Sequence, residues 1–111
     1  MPQDKLKIHI LAFAGCPNAE IARDNVAVAI AAEGQVADVI HIEVDTPELA
    51  VQHEFLGSPS VRVNGNDVEP AARTRTDFGL MCRTYREGAG VTGAPSVDLI
   101  RASLRNKSLS W

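Results

Sequence analysis

Cysteine is scarce in this chain, which has only Cys16 and Cys82 among its 111 residues. Two cysteines exclude a disulfide-dense scaffold, and with three scattered histidines they make no zinc-finger spacing. At most one bridge is available to them. Positive charge is not in excess either. Eleven Lys and Arg stand against fourteen Asp and Glu, a formal charge of −3. A basic nucleic-acid or anionic-membrane footprint is therefore not expected. Long apolar runs are missing: no stretch approaches the roughly 18 residues a membrane span needs. The short run Ile8 to Ala14 follows Lys5 and Lys7, but it contains His9 and ends in Gly-Cys-Pro, not at a small-residue cleavage site. The expectation is a cytoplasmic protein with reduced thiols. Internal repeats and low-complexity segments are absent from the sequence. The length fits a single domain, 1–111.

What is present is an alternation of strand-like and helix-like segments. Lys5 to Phe13 predicts a strand buried on both faces, because its short apolar run ends at Gly15. Cys16-Pro17-Asn18-Ala19-Glu20 then opens a helix with Ala22, Val26, Ala29 and Ile30 on one face. Pro17 suits its first position, Cys16 its N-cap and Gly34 its stop. Val36 to Val44 predicts a second strand with Val39, Ile40 and Ile42 in the core. Thr46-Pro47-Glu48 starts a short helix ending near His53–Phe55. Ser60 to Val63 and Asn66 to Val68 flank Asn64-Gly65, which supplies the positive φ angles of a type I′ hairpin turn. Ser96 to Leu104 predicts a last amphipathic helix with Val97, Ile100 and Leu104 inward, and the tail 106–111 is expected to fray. The order is α/β, β-α-β-α-β-β-α, with an insert at about 70–95 that periodicity does not resolve except for a short element near Phe78–Tyr85. The first helix gives strands one and two the crossover that parallel pairing requires.

Cys16 is the candidate nucleophile. A thiol at a helix N-cap faces unpaired backbone N–H groups and the positive end of the helix dipole. Both favour the thiolate, the form that attacks electrophiles and binds soft metals. Glu20 opposes this. Cys82, in the insert, reads either as a small buried hydrophobe or as a partner brought back to Cys16. Arg73, Arg75, Arg83 and Arg86 read as a solvated loop interleaved with Asp77 and Glu87, or more sharply as an anion clamp. Asp77 could carry a proton beside Cys82. Gly88-Ala89-Gly90-Val91-Thr92-Gly93 spells a dinucleotide fingerprint, but without the following β-α-β unit it reads as a flexible loop. His9, His41 and His53 lack partners at metal spacing and read as structural. Asn106-Lys107-Ser108 has no secretory context and is set aside as a sequon.

Gly15-Cys16-Pro17-Asn18-Ala19 before the first helix, Gly57-Ser58-Pro59-Ser60-Val61 before the third strand, and Val63-Asn64-Gly65 together resemble the thioredoxin-like superfamily. The form is a single-cysteine Cys-Pro-x-Ala variant, with Ala19 where a resolving cysteine would stand. It is also loosely similar to small thioredoxin-like proteins associated with alkylmercury lyases. The resemblance covers about three quarters of the chain and fails over the insert. It implies a cis peptide bond at Pro59 and a Ser58 backbone free to pair with an extended substrate or glutathione near Cys16. It further implies thiol–disulfide oxidoreductase chemistry without a cofactor or resident metal. Cys16 and Cys82 would be the catalytic residues, with Pro17, Ser58 and Pro59 at the substrate. Cys16 would attack a protein disulfide or glutathione-type partner, and the mixed disulfide would be resolved by Cys82 or an external thiol. The alternatives are a redox-silent thioredoxin-like binding module and the handling of thiophilic metal or organomercurials by both thiols.

Overall fold

The computed structural model describes residues 6–88 and 90–106. Lys5, Ala89 and the tail after Asn106, with the rest of the sequon, lie outside these residues. The chain is mixed α/β. Its main sheet has the order β2-β1-β3-β4. Strand β1 (Leu6–Ala12) and β2 (Ala37–Glu43) pair in parallel, from Leu6 against Ala37 to Ala12 against Glu43. Helix α1 (Pro17–Glu33) supplies the crossover. Cys16, extended at φ −72°, ψ 113°, caps its start, Pro17 opens it, and Gly34 closes it at φ 62°. The predicted face Ala22, Val26 and Ala29 is buried.

Helix α2 (Pro47–Gln52) begins where Thr46 Oγ1 accepts the Leu49 amide at 3.1 Å. Strand β3 (Ser60–Val63) runs antiparallel to β1, and β4 (Asn66–Asp67) antiparallel to β3. Between them Asn64 and Gly65 take φ 51° and 87°, as the predicted turn requires. A short 3₁₀ turn (Pro70–Thr74) leads into the insert. Helix α3 (Val97–Asn106) then packs beside α1, with Arg101 paired to Glu33 at 2.8 Å. Ile100 and Leu104 are fully buried, as the sequence pattern predicts.

The sheet separates two apolar clusters. On one face Leu6, Ile8 and Ile10 of β1 meet Ala22, Val26 and Ala29 of α1 and Ile100 and Leu104 of α3. On the other, Leu11, Val44, Ala50 and Phe55 pack under α2. One expectation fails here. Val39 and Ile40 are exposed, at 38% and 37%, because β2 is the sheet edge and these two residues, on opposite faces of it, lie beyond both core clusters. Ile42 alone of the three packs against a core cluster.

The insert is also more ordered than its composition suggests. Strand β5 (Tyr85–Glu87) pairs antiparallel with β6 (Gly90–Thr92). Gly90 to Thr92 of the glycine-rich stretch read as a flexible loop are therefore a strand. Glu87 ties this hairpin to α3: its carboxylate accepts the Ser96 amide at 3.1 Å and the Ser96 hydroxyl. Ser96 Oγ in turn accepts the Leu99 amide at 3.0 Å. Among the described residues no helix is long and apolar enough to cross a membrane.

Candidate active site at Cys16 and the strap bearing Cys82

Cys16 sits where β1 hands over to α1. Gly15, at φ 79°, makes the turn, a conformation that side-chain-bearing residues avoid. The Cys16 amide donates to the Phe13 carbonyl at 3.3 Å, and its own carbonyl accepts the Ala19 amide at 3.2 Å. The thiol makes no capping hydrogen bond. It is partly buried and lines an open cleft of about 490 Å³. Pro17, Glu20, Arg23, His41 and Glu43 line the same cleft. Behind the turn, Asp45 accepts the Ala14 amide at 2.8 Å. A hydrogen bond to Asp45 raises the Glu43 carboxyl above its ordinary range, and the same bond, with that from Ala14, lowers Asp45.

The strand register places the Ser58–Pro59 loop beside this turn. Leu11 pairs with Ser60, so the chain beyond Ser60 toward Ser58 runs alongside Phe13. The Phe13 amide donates to Ser58 Oγ at 3.3 Å. The Ser58–Pro59 peptide bond is cis, as expected.

The loop is not open. The insert returns over it and pairs with it in a parallel bridge between Ser58 and Cys82. The Ser58 amide donates to the Met81 carbonyl at 2.8 Å, and the Arg83 amide donates to the Ser58 carbonyl at 3.0 Å. The Tyr85 hydroxyl donates to the Pro59 carbonyl at 2.7 Å, and the Ser60 hydroxyl to the Gly57 carbonyl at 2.6 Å. The expectation of a Ser58 backbone free for a substrate is thus corrected. Both of its hydrogen-bonding groups are consumed by the chain's own strap, Met81–Arg83, because buried backbone groups must find partners.

Arg83 fastens the strap. Its side chain is 1% exposed and makes a two-pronged pair with Asp67, Nη1 to Oδ2 at 2.6 Å and Nη2 to Oδ1 at 2.7 Å. It also donates to Ser60 Oγ at 3.0 Å and Glu69 Oε1 at 3.2 Å. Its guanidinium lies 4.4 Å from the centre of the buried Tyr85 ring. Arg83 Nε is a buried atom without a hydrogen-bond partner among the described residues. Gly57, at φ 116°, lies directly beneath: an added Cβ would stand 3.0 Å from both Arg83 Cβ and Met81 Cγ.

Arg83 is therefore neither a solvated loop residue nor a free anion clamp, as its two carboxylate partners neutralise it. Arg73 is tied too, donating from Nε to the Asp67 carbonyl at 2.8 Å. Arg75 pairs with Asp77 at 2.7 Å on the surface. Cys82 itself is exposed, not a buried hydrophobe, and both thiols are free. A continuous set of contacts joins their segments: Cys16 to Phe13, Phe13 to Ser58, and Ser58 to the residues flanking Cys82. Sequence reasoning missed Asp67, Glu69, Ser60 and Tyr85. Their signal was slight: an acid two positions after Gly65 of the hairpin turn, and one tyrosine two positions from an arginine.

Among the described residues no cluster of three or more His, Cys, Asp or Glu is arranged to hold a metal ion. The chain matches no known protein-family profile, and no curated protein matches it.

Proposed function

We propose that the chain is a thioredoxin-like thiol redox protein in which Cys16 is the nucleophile. The observation that carries this reading is the anchoring of Cys82 on Ser58, while Ser58 holds the Phe13 amide and Phe13 holds that of Cys16. The strand order β2-β1-β3-β4, the α1 crossover and the cis bond before β3 support the thioredoxin-like part of it. In the proposed reaction the Cys16 thiolate attacks one sulfur of a disulfide. A Cys16 Sγ–S bond forms, the substrate S–S bond breaks, and the departing sulfur leaves as a thiolate that takes up a proton. Cys82 then attacks Cys16 Sγ and releases the second half of the substrate as a thiolate, or an external thiol attacks the substrate sulfur, carries it off as a new disulfide and frees the Cys16 thiolate. If Cys82 resolves, a Cys16–Cys82 disulfide remains, and a low-molecular-weight thiol must reduce it.

Competitive alkylation tests the reading. Cys82 is the more exposed thiol, so access alone would make it react first. The proposal predicts the reverse: at neutral pH iodoacetamide modifies Cys16, the nucleophile at the start of α1, faster than Cys82. An order that follows exposure would contradict it.

A further inference from the structure

We propose that the Cys16 cleft takes small disulfides bearing ammonium groups, not extended polypeptide disulfides. This inference rests on the reading of Cys16 as a nucleophile and narrows its substrate.

A polypeptide held beside Cys16 needs main-chain partners. The Ser58 amide and carbonyl are spent on Met81 and Arg83. The strap is not a loose cover. Peeling it away would break the Tyr85–Pro59 hydrogen bond and expose the Arg83–Asp67 pair, whose side chains are 1% and 6% exposed. Isolated charges of that kind are costly to leave unpaired. The tight seat of Gly57 under Arg83 and Met81 leaves no slack for a second chain.

What remains is the cleft beside Cys16. Its volume of about 490 Å³ lies within the usual range of small-ligand sites. Glu20, Glu43, Arg23 and His41 are its ionisable lining residues, two carboxyl groups to one guanidinium. The balance is acidic, so an ammonium group next to the reacting sulfur is favoured over a carboxylate. The chemistry is the step already written: the Cys16–sulfur bond forms, and an aminothiolate leaves and is protonated.

The test uses the full chain and three probes: cystamine, dithiodiglycolate, and a twelve-residue peptide joined to cysteamine through one cysteine. Mass spectrometry follows the loss of the Cys16 thiol. Cystamine is expected to react about tenfold faster than either other probe. Glu20→Gln should narrow its lead over dithiodiglycolate, and Asp67→Asn, which loosens the strap, should raise the peptide rate relative to cystamine. Should Asp67→Asn fail to fold, the wild-type rates decide alone. Equal rates for cystamine and the peptide overturn the inference and leave Cys16 standing as nucleophile. If that peptide rate then falls in Val39→Pro, the exposed edge of β2 is where the polypeptide binds. A dithiodiglycolate rate equal to that of cystamine overturns the charge preference. No reaction of Cys16 with any probe overturns this inference together with the proposed function.

Discussion

Ser58 and Cys82 lie backbone to backbone, although 24 positions separate them in the sequence. The residues on either side of Cys82 take both main-chain hydrogen-bonding groups of Ser58, at 2.8 and 3.0 Å. The exposed thiol is thereby fixed on the loop that supports the Cys16 turn. The stability of that arrangement depends on buried groups that can be removed one at a time.

The first is the guanidinium of Arg83. Arg83→Met leaves Asp67 as a buried carboxylate whose strongest partner is gone. A loss of about 3–5 kcal/mol is expected, as for other broken buried ion pairs. Urea denaturation measures it. The double variant Arg83→Met with Asp67→Leu should be less unstable than the sum of the two single changes, because no unpaired charge remains.

The second is the hydroxyl of Tyr85. Tyr85→Phe leaves the buried Pro59 carbonyl without its donor, at an expected cost of about 1–3 kcal/mol. Amide exchange should quicken at Arg83, whose N–H bonds to the same loop.

The phenol also predicts a pH dependence. Burial raises the Tyr85 hydroxyl well above its ordinary value, although nearby Arg83 opposes the shift. The folded state then keeps the proton after the unfolded chain loses it. The stabilisation is complete below about pH 10 and declines above it, as the unfolded state ionises. Tyr85 is the chain's one tyrosine, so its ultraviolet titration is unambiguous. Tyrosinate absorbance is expected to rise together with loss of the far-ultraviolet circular dichroism signal. Ionisation in a still-folded protein would contradict the burial argument.

Gly57 gives the fourth prediction. Gly57→Ala places a Cβ 3.0 Å from Arg83 Cβ and Met81 Cγ at φ 116°. An expected loss of about 1–3 kcal/mol should come with faster proteolysis near Cys82. A protein of unchanged stability and protease resistance would mean that the strap is looser than its packing implies.

The legibility of this chain follows the range of the physics. Pro17, Gly34, Thr46 and Asn64-Gly65 mark boundaries through their own backbone preferences, and each lies where the sequence predicts. Ile100 and Leu104 are buried because helical spacing is a local property. Val39 and Ile40 mislead because an apolar pair says nothing about whether its strand lies at the centre or the edge of a sheet. Arg83 misleads for a related reason. Its partners Asp67, Glu69 and Ser60 lie 14 to 23 positions away, and charge interleaved with glycine has the same composition in a solvated loop as in a buried clamp. Cys16 was legible as a helix cap. The meeting of Cys82 with Ser58 was not, because it depends on the path of the whole insert.

The most direct test of Cys16 as the reacting thiol is peptide mapping of Cys82→Ser after brief treatment with cystamine. With Cys82 removed, a stable cysteamine adduct is expected on Cys16, which an added monothiol then releases. A Cys16 that stays unmodified while cystamine is in excess would contradict it.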